Sequence, residues 1–457
     1  MKSSTASTEA NNNSIELLHK QEEATSIDAL TCLLETSDIV FVKKMSLNDW
    51  QWTEKENKHQ NGPLIPKAQR DSSFFPSLKQ KPVKPGKPQI SEALFKVLWP
   101  QTGEILEAKL THYTSKNESH LTHVPRLLFT GIAPASLFVV GHKKKPHQGD
   151  CVYQAVILDS VSEDADSLID LFELPPTFLC DIFVPQKAIK SYQDKIFEFI
   201  EKALVAFNAG DLKKFAKKHA TLPKPEELAV MAQQEFKRQN TNILNFNPFI
   251  LDTPGDCLME ISRGIELAIF REFELRQKSL ELIQVILGDK PQKSSVETAF
   301  RNIIREFPRI DKLLLSASQS RKSRAGRSYE YHIETMLIDG KIPYKPQVVM
   351  SSKSRPDFIL PTLELYNKKG RPHDQALVLS AKTTLRERWK QVQNEIKDCD
   401  LYLATCDDKI AESAITSMKE AGIRLVVPES LKSSQGSSKI VSYKEQGNVI
   451  SFKTFFH

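Results

Sequence analysis

No stretch of the chain approaches the roughly 20 consecutive apolar residues needed to cross a bilayer, which argues against a membrane-spanning helix. The first residues, Met1-Lys2-Ser3-Ser4-Thr5, have no hydrophobic signal core, so a cytoplasmic protein without a membrane partner is expected. The six cysteines, Cys32, Cys151, Cys180, Cys257, Cys399 and Cys406, are scattered and form no C-x-x-C pair. That spacing argues against a zinc site and a disulfide framework, and it fits a reducing compartment. There is no internal repeat. Charge of one sign is not in large excess: the net charge is +6 and the pI about 8.7, compatible with a polyanion partner but not demanding one.

Hydrophobic residues make up 40% of the 457, enough for real cores, and the length predicts two or three domains. Residues 1–36 are rich in Ser, Thr, Asn and Glu at the start and read as partly disordered, with a short helix from Ser26 to Glu35. Residues 37–184 carry short apolar runs (IVFVKKM, ALFKVLW, EAKLTHY, RLLFTG, SLFVVG, CVYQAVIL) separated by turn residues, the pattern of a barrel or sandwich. The prolines of KPVKPGKP remove backbone donors, so this segment reads as an exposed basic loop. Residues 185–260 switch to helical periodicity and form a helical linker region. Residues 261–457 open with a long amphipathic helix to Leu287, stopped by Gly288, and then alternate helix and strand. The expected class is therefore α+β with two domains, the second a mixed sheet flanked by helices.

The chemistry concentrates between Ser354 and Glu395. Asp357 opens a strand, Phe358-Ile359-Leu360. Lys382, 25 positions later, ends the next apolar strand, and Glu395 follows on a predicted helix starting at Leu385. Two carboxylates and a lysine on three converging elements can hold a hard divalent cation beside a phosphodiester. Asp357 and Glu395 are the candidate metal ligands and Lys382 the candidate phosphate partner. Glu330, early in a predicted helix from Ser328 to Ile338 and beside the basic run Arg321-Lys322-Ser323-Arg324, is a further candidate carboxylate. Each residue also has a plainer reading: Asp357 as a turn acid after Pro356, Glu395 as a surface glutamate beside Lys390 or Lys397, and His332 as a packing or surface histidine. Strand alternation places Ser380 and Lys382 on one face. The commoner nuclease pattern has an acid where Ser380 stands, and Glu395 can return that carboxylate from the helix.

Arg386-Glu387-Arg388 follows in the first turn of the same predicted helix. Arginines there oppose the helix dipole and need a reason. Arginine reads guanine O6 and N7 and glutamate accepts from cytosine N4, so the trio suits G·C pairs; a surface salt-bridge cluster is the plainer alternative.

The blocks RKSRAGRSYEYHIE, RPDFILP, LSAKTTLRERWKQVQNEI and GIRLVVPESL resemble the catalytic domain of EcoRII-like type II restriction endonucleases, a branch of the PD-(D/E)xK nucleases. The resemblance implies Asp357, Lys382 and Glu395 as the catalytic set, with Glu330 as an added helix glutamate and Mg²⁺ as cofactor. It implies that Arg386, Glu387 and Arg388 read CC/GG pairs. Upstream, FVKKMSLNDW, HQNGPLIP and FFPSL resemble the family's N-terminal effector domain, a B3-like β-barrel that binds a second DNA site. His59, Lys116 and Glu118 align there with DNA contacts. The family's Gly-rich turn before His-Gln is replaced by Trp50 to Lys58, and its second arm is shortened to Ser115–His120. The implied partners are double-stranded DNA, a second copy of the chain and a companion DNA methyltransferase, at a CCWGG- or CCNGG-like site. The rival reading is a sequence-specific DNA-binding protein with an inactive nuclease core, which Ser380 favours and the retained Asp357, Lys382 and Glu395 oppose.

Overall fold

The computed structural model describes residues 29–53, 62–82, 89–143, 151–288, 295–347, 355–385, 389–392, 399–433, 443 and 446–457. It divides into two compact units, residues 1–191 with 435–441 and residues 192–434 with 442–457.

In the first unit, residues 29–36 are helical, followed by β1 (Ile39–Lys44). The remaining strands are β2 (Lys79–Gln80), β3 (Ile90–Trp99), β4 (Glu104–Tyr113), β5 (Glu118–Thr122), β6 (Leu137–His142), β7 (Tyr153–Leu158) and β8 (Cys180–Phe183). They form one sheet in the order β5-β4-β3-β7-β6-β1-β8, with β2 paired to β3. The pairings run as an open path; only β3 and β7 are parallel. Alternation explains why β6 and β7 are buried along almost their whole length. Phe138 and Val140 face a core with Phe41, Trp99 and Phe129, while Leu137 and Val139 face a second core with Leu30, Leu33 and Leu168. A helix, Glu163–Leu171, covers that second face. Ser162 caps it by accepting from Ala165 N, and Glu163, Asp164 and Asp166 complement its dipole. RLLFTG, expected as a strand, instead gives a 3₁₀ turn, Arg126–Phe129, after Pro125; Phe129 alone of that turn is buried, so there was no alternating face to pair.

Helices dominate the start of the second unit. Leu212–His219 and Pro225–Gln239 are followed by Glu266–Leu287, which is entered through a wider π turn, Glu260–Ile265. Ala203, Phe207, Leu212 and Ala220 share a core with Leu280. The helix expected from Ser328 is the end of a continuous one, Phe307–Asp339. The basic run at Arg321 therefore lies within a helix: no proline falls between Pro308 and Asp339, and Arg, Lys and Ala continue a helix at low cost, with Gly326 the one poor helix former in the run.

This unit's sheet has the order β14-β13-β12-β11-β10-β9. Its strands are β9 (Lys345–Pro346), β10 (Phe358–Leu360), β11 (Leu377–Ala381), β12 (Asp400–Ala404), β13 (Ile423–Val427) and β14 (Val449–Ser451). From β11 to β14 they are parallel; β10 runs antiparallel to both neighbours. Leu403, Leu425 and Val426 are fully buried, as parallel strands covered on both faces require. The architecture is mixed α/β, with a curled sheet in one unit and a mixed sheet in the other. Among the described residues, no helix is long and apolar enough to cross a membrane.

Candidate active site

Antiparallel pairing of β10 with β11 sets Phe358 opposite Leu379, and the next step along that register sets Asp357 opposite Ser380. Asp357 is buried at the mouth of β10, and its Oδ2 accepts from the backbone N of Ala381 at 2.7 Å. The same oxygen accepts from Lys382 Nζ, also at 2.7 Å. Lys382 lies one residue beyond β11, where its backbone N donates to Ala404 O at 3.0 Å. The lysine is thus anchored by β12 through its backbone and by Asp357 through its ammonium. Ser380, where the commoner pattern has an acid, is completely buried.

Glu330 comes to the same place from the long helix Phe307–Asp339. Its Oε2 accepts from Gln347 Nε2 at 2.9 Å. Burial pushes the Glu330 carboxyl above the ordinary glutamate range, and the Asp357 charge adds to this. The Gln347 hydrogen bond and the charges of Lys382 and Arg327 pull in the opposite direction. One turn on, Glu334 accepts from Tyr344 OH at 2.8 Å. His332 lies apart from this cluster: its Nε2 meets Glu266 Oε2 at 2.7 Å in the buried helix packing, so of the packing and surface roles open to it the structure shows packing.

Three sequence candidates, Glu330, Asp357 and Lys382, are therefore brought together. Glu395 and the trio Arg386, Glu387 and Arg388 lie outside the described residues. Leu385, which leads into that trio, is buried, and its backbone N donates to Asp407 Oδ2 at 2.9 Å. Asp407 Oδ1 accepts from Lys409 N at 2.9 Å, and the neighbouring Asp408 accepts from Arg263 Nη1 at 2.7 Å. Burial pushes the Asp407 carboxyl up, against the pull of its two backbone donors and of Arg263. Sequence spacing gave no sign of Gln347 or Asp407, because neither belongs to a motif.

Among the described residues, no three His, Cys, Asp or Glu side chains gather as a metal group. Asp357 and Glu330 are near enough for the Asp357 charge to act on Glu330, and two carboxylates are the donor chemistry of a small hard cation, which completes its shell with water and phosphate oxygens.

In the first unit, Lys116 is exposed in the turn between β4 and β5, and Glu118 opens β5 with its Oε2 at 3.4 Å from His120 Nε2. His59 lies outside the described residues. The chain resumes at Gly62 directly beside β5: Leu64 bridges His120, Ile65 N donates to Ser119 O at 2.8 Å, and Leu121 N donates to Pro63 O at 3.0 Å. Asp49 Oδ1 accepts from Leu64 N at 2.7 Å, while its Oδ2 takes Lys43 Nζ at 2.8 Å and Ser46 N at 2.7 Å. One buried carboxylate therefore ties β1, the Leu47–Trp50 helix and the Gly62–Ile65 segment together.

The class that emerges is an α/β unit presenting a carboxylate–lysine pair at adjoining strand ends. Residues 288–456 match the family model described as EcoRII C terminal. The chain is 35% identical over 189 residues to the type II restriction enzyme EcoRII of Escherichia coli, covering 39% of this chain and 47% of that enzyme. It is 28% identical over 220 residues to the type II restriction enzyme SsoII of Shigella sonnei, covering 45% of this chain and 68% of that one. Among solved structures, metal-depleted Ecl18kI in complex with uncleaved, modified DNA is similar, with 26% identity and a TM-score of 0.41 over 55% of this chain and 80% of that one. Over those 189 residues the chain resembles EcoRII, and the match spans about half of EcoRII's own length, 47%.

Proposed function

We propose that this protein is a Mg²⁺-dependent type II restriction endonuclease that cuts double-stranded DNA at a short CC/GG-containing site. The observation that carries the reading is the Lys382–Asp357 contact at 2.7 Å, with Glu330 held beside it. Asp357 and Glu330 are the described side chains that would hold the cation, and Glu395 is the third ligand we assign. When bound, the cation supplies Lewis-acid polarisation of the phosphate and a nucleophilic water at neutral pH. Lys382, oriented by Asp357, offers a fixed positive charge to the phosphate oxygens as negative charge develops there. Arg386, Glu387 and Arg388 are assigned to base reading, with arginine to guanine and glutamate to cytosine.

Two strands need two active sites, so we assign a homodimer on a near-palindromic site, the dyad of the protein matching that of the DNA. EcoRII and SsoII carry the name of type II restriction enzymes; as partners here we assign a second copy of the chain and a companion methyltransferase. The first unit is assigned as a B3-like effector domain, with His59, Lys116 and Glu118 as its DNA contacts. The working division is residues 37–184 for that domain, 185–260 for the helical linker and 261–457 for the catalytic domain. The cytoplasm is the proposed location, where all six free thiols stay reduced.

The rival, a DNA-binding protein with an inactive nuclease core, is favoured by one observation, the buried Ser380 in place of an acid. Incubating pure protein with unmethylated plasmid and Mg²⁺ and sequencing the ends decides between them. Recurrent ends at one CC/GG site support the enzyme; intact plasmid with retained specific binding supports the rival.

A further inference from the structure

Gln347 occupies an unusual backbone state at the junction of this cluster. Its φ of +49° lies in the left-handed region, which non-glycine residues seldom adopt and which glutamine, unlike asparagine, has no local hydrogen bond to favour. The turn stops β9 after two residues. Held this way, Gln347 contacts both carboxylate-bearing elements. Its backbone N donates to Asp357 O at 3.0 Å, and its Nε2 donates to Glu330 Oε2 at 2.9 Å. Its Oε1 accepts from Arg355 Nη2. Because the guanidinium can only donate, Oε1 must face Arg355, and the NH₂ is left for Glu330.

We propose that Gln347 is a positioning residue for the cleavage site, which sets the placement of the Glu330 carboxylate relative to Asp357 and so shapes the cation site those two would form. The inference rests on the function proposed above. A backbone strained away from its preferred region is retained where the surrounding structure holds it, and such positions cluster at functional sites. Here the strained residue is also the one that spans the two carboxylates. An outer partner of a metal-binding carboxylate typically alters metal affinity or activity by about 10–100-fold when removed.

Gln347→Asn separates the roles. Asparagine tolerates the left-handed backbone and keeps the N–H to Asp357, but its amide is one methylene too short for Glu330. Arg355→Ala is a second variant: Arg355 is exposed, so its loss leaves the fold intact while freeing the amide to turn over. Three readouts are taken on the full chain: Mn²⁺ affinity by calorimetry without DNA, the Mg²⁺ concentration for half-maximal cleavage, and DNA affinity without metal. The expected result for Gln347→Asn is about 10-fold weaker Mn²⁺ binding and a matching rise in Mg²⁺ requirement, with metal-free DNA affinity unchanged. A shift in the same direction is expected for Arg355→Ala. Wild-type Mn²⁺ affinity in a folded Gln347→Asn, or in Arg355→Ala should the first variant not fold, overturns the inference. If the wild-type protein itself neither binds Mn²⁺ nor cuts, the proposed function has failed instead.

Discussion

Lys382 Nζ and the backbone N of Ala381 both donate to a single oxygen of Asp357, each at 2.7 Å. That oxygen must be a pure acceptor. Asp357→Asn can retain an oxygen there only by turning its NH₂ to the position of Oδ1, where a cation would be repelled. The variant should lose cleavage by at least about 100-fold, the scale for removing a group that acts directly in the reaction. Metal-free DNA binding should stay within a few-fold. Single-turnover cleavage and gel-shift titration measure the two; a parallel fall in both would make Asp357 a folding residue.

Asp49 makes a prediction for the first unit. It is fully buried, and the paired Lys43 side chain is 7% exposed. Asp49→Ala leaves a buried ammonium without its partner, which should cost about 3–5 kcal/mol. Three of the four tryptophans, Trp50, Trp52 and Trp99, lie in this unit, so denaturant unfolding followed by tryptophan fluorescence reports on it. A loss under about 1 kcal/mol would mean that water reaches Lys43 and the pair is a surface one.

Gly62 has φ +143°, and a Cβ added to it would stand 1.9 Å from the carbonyl oxygen of Leu121. The obstacle is backbone, so it cannot swing aside. Gly62→Ala should force the Gly62–Ile65 segment off β5 and lower the melting temperature by several degrees, as a change of about 1–3 kcal/mol does. Gly447→Ala, where nothing lies within 4 Å, serves as the control and should melt as the wild type does. Equal melting of the two variants would place the segment elsewhere.

Asp407 gives a pH dependence. Burial raises its folded-state pKa above the value of about 3.9 for an unfolded aspartate. Its contribution to stability is therefore complete below the unfolded value and is lost as pH rises through the folded one. Asp407→Asn cannot ionise and escapes that loss, although its amide replaces one acceptor of the Leu385 and Lys409 donors and costs stability at every pH. The stability difference should move in favour of the variant as pH rises from about 4 to 7. Movement the other way, read from urea unfolding at several pH values, would show that the two backbone donors and Arg263 outweigh burial.

Elements with a strong period were legible in the sequence. The helical periodicity of residues 185–260 is met by Pro225–Gln239 among others, and the long helix expected to stop at Gly288 does end at Leu287. Failures came where the pattern carried no apolar face. The basic stretch around Arg321 hid the continuity of the Phe307–Asp339 helix, and RLLFTG looked like a strand because three apolar residues in a row carry no period. Strands of two or three residues, such as Lys345–Pro346 and Val449–Ser451, are shorter than any window that shows alternation. At the candidate site, Asp357 and Lys382 stood out because one opens and the other ends a short apolar run. Gln347 did not, because its importance comes from one backbone angle and two partners at sequence distances of 10 and 17 residues.

Lys382→Ala tests the central claim most directly. Wild-type and variant protein are incubated with unmethylated plasmid and Mg²⁺, and the ends are sequenced while DNA affinity is followed without metal. The account predicts recurrent ends at one CC/GG site from the wild type, at least about a 100-fold slower rate from Lys382→Ala, and equal DNA affinity for both. A Lys382→Ala protein that cuts the same site at the wild-type rate would contradict it.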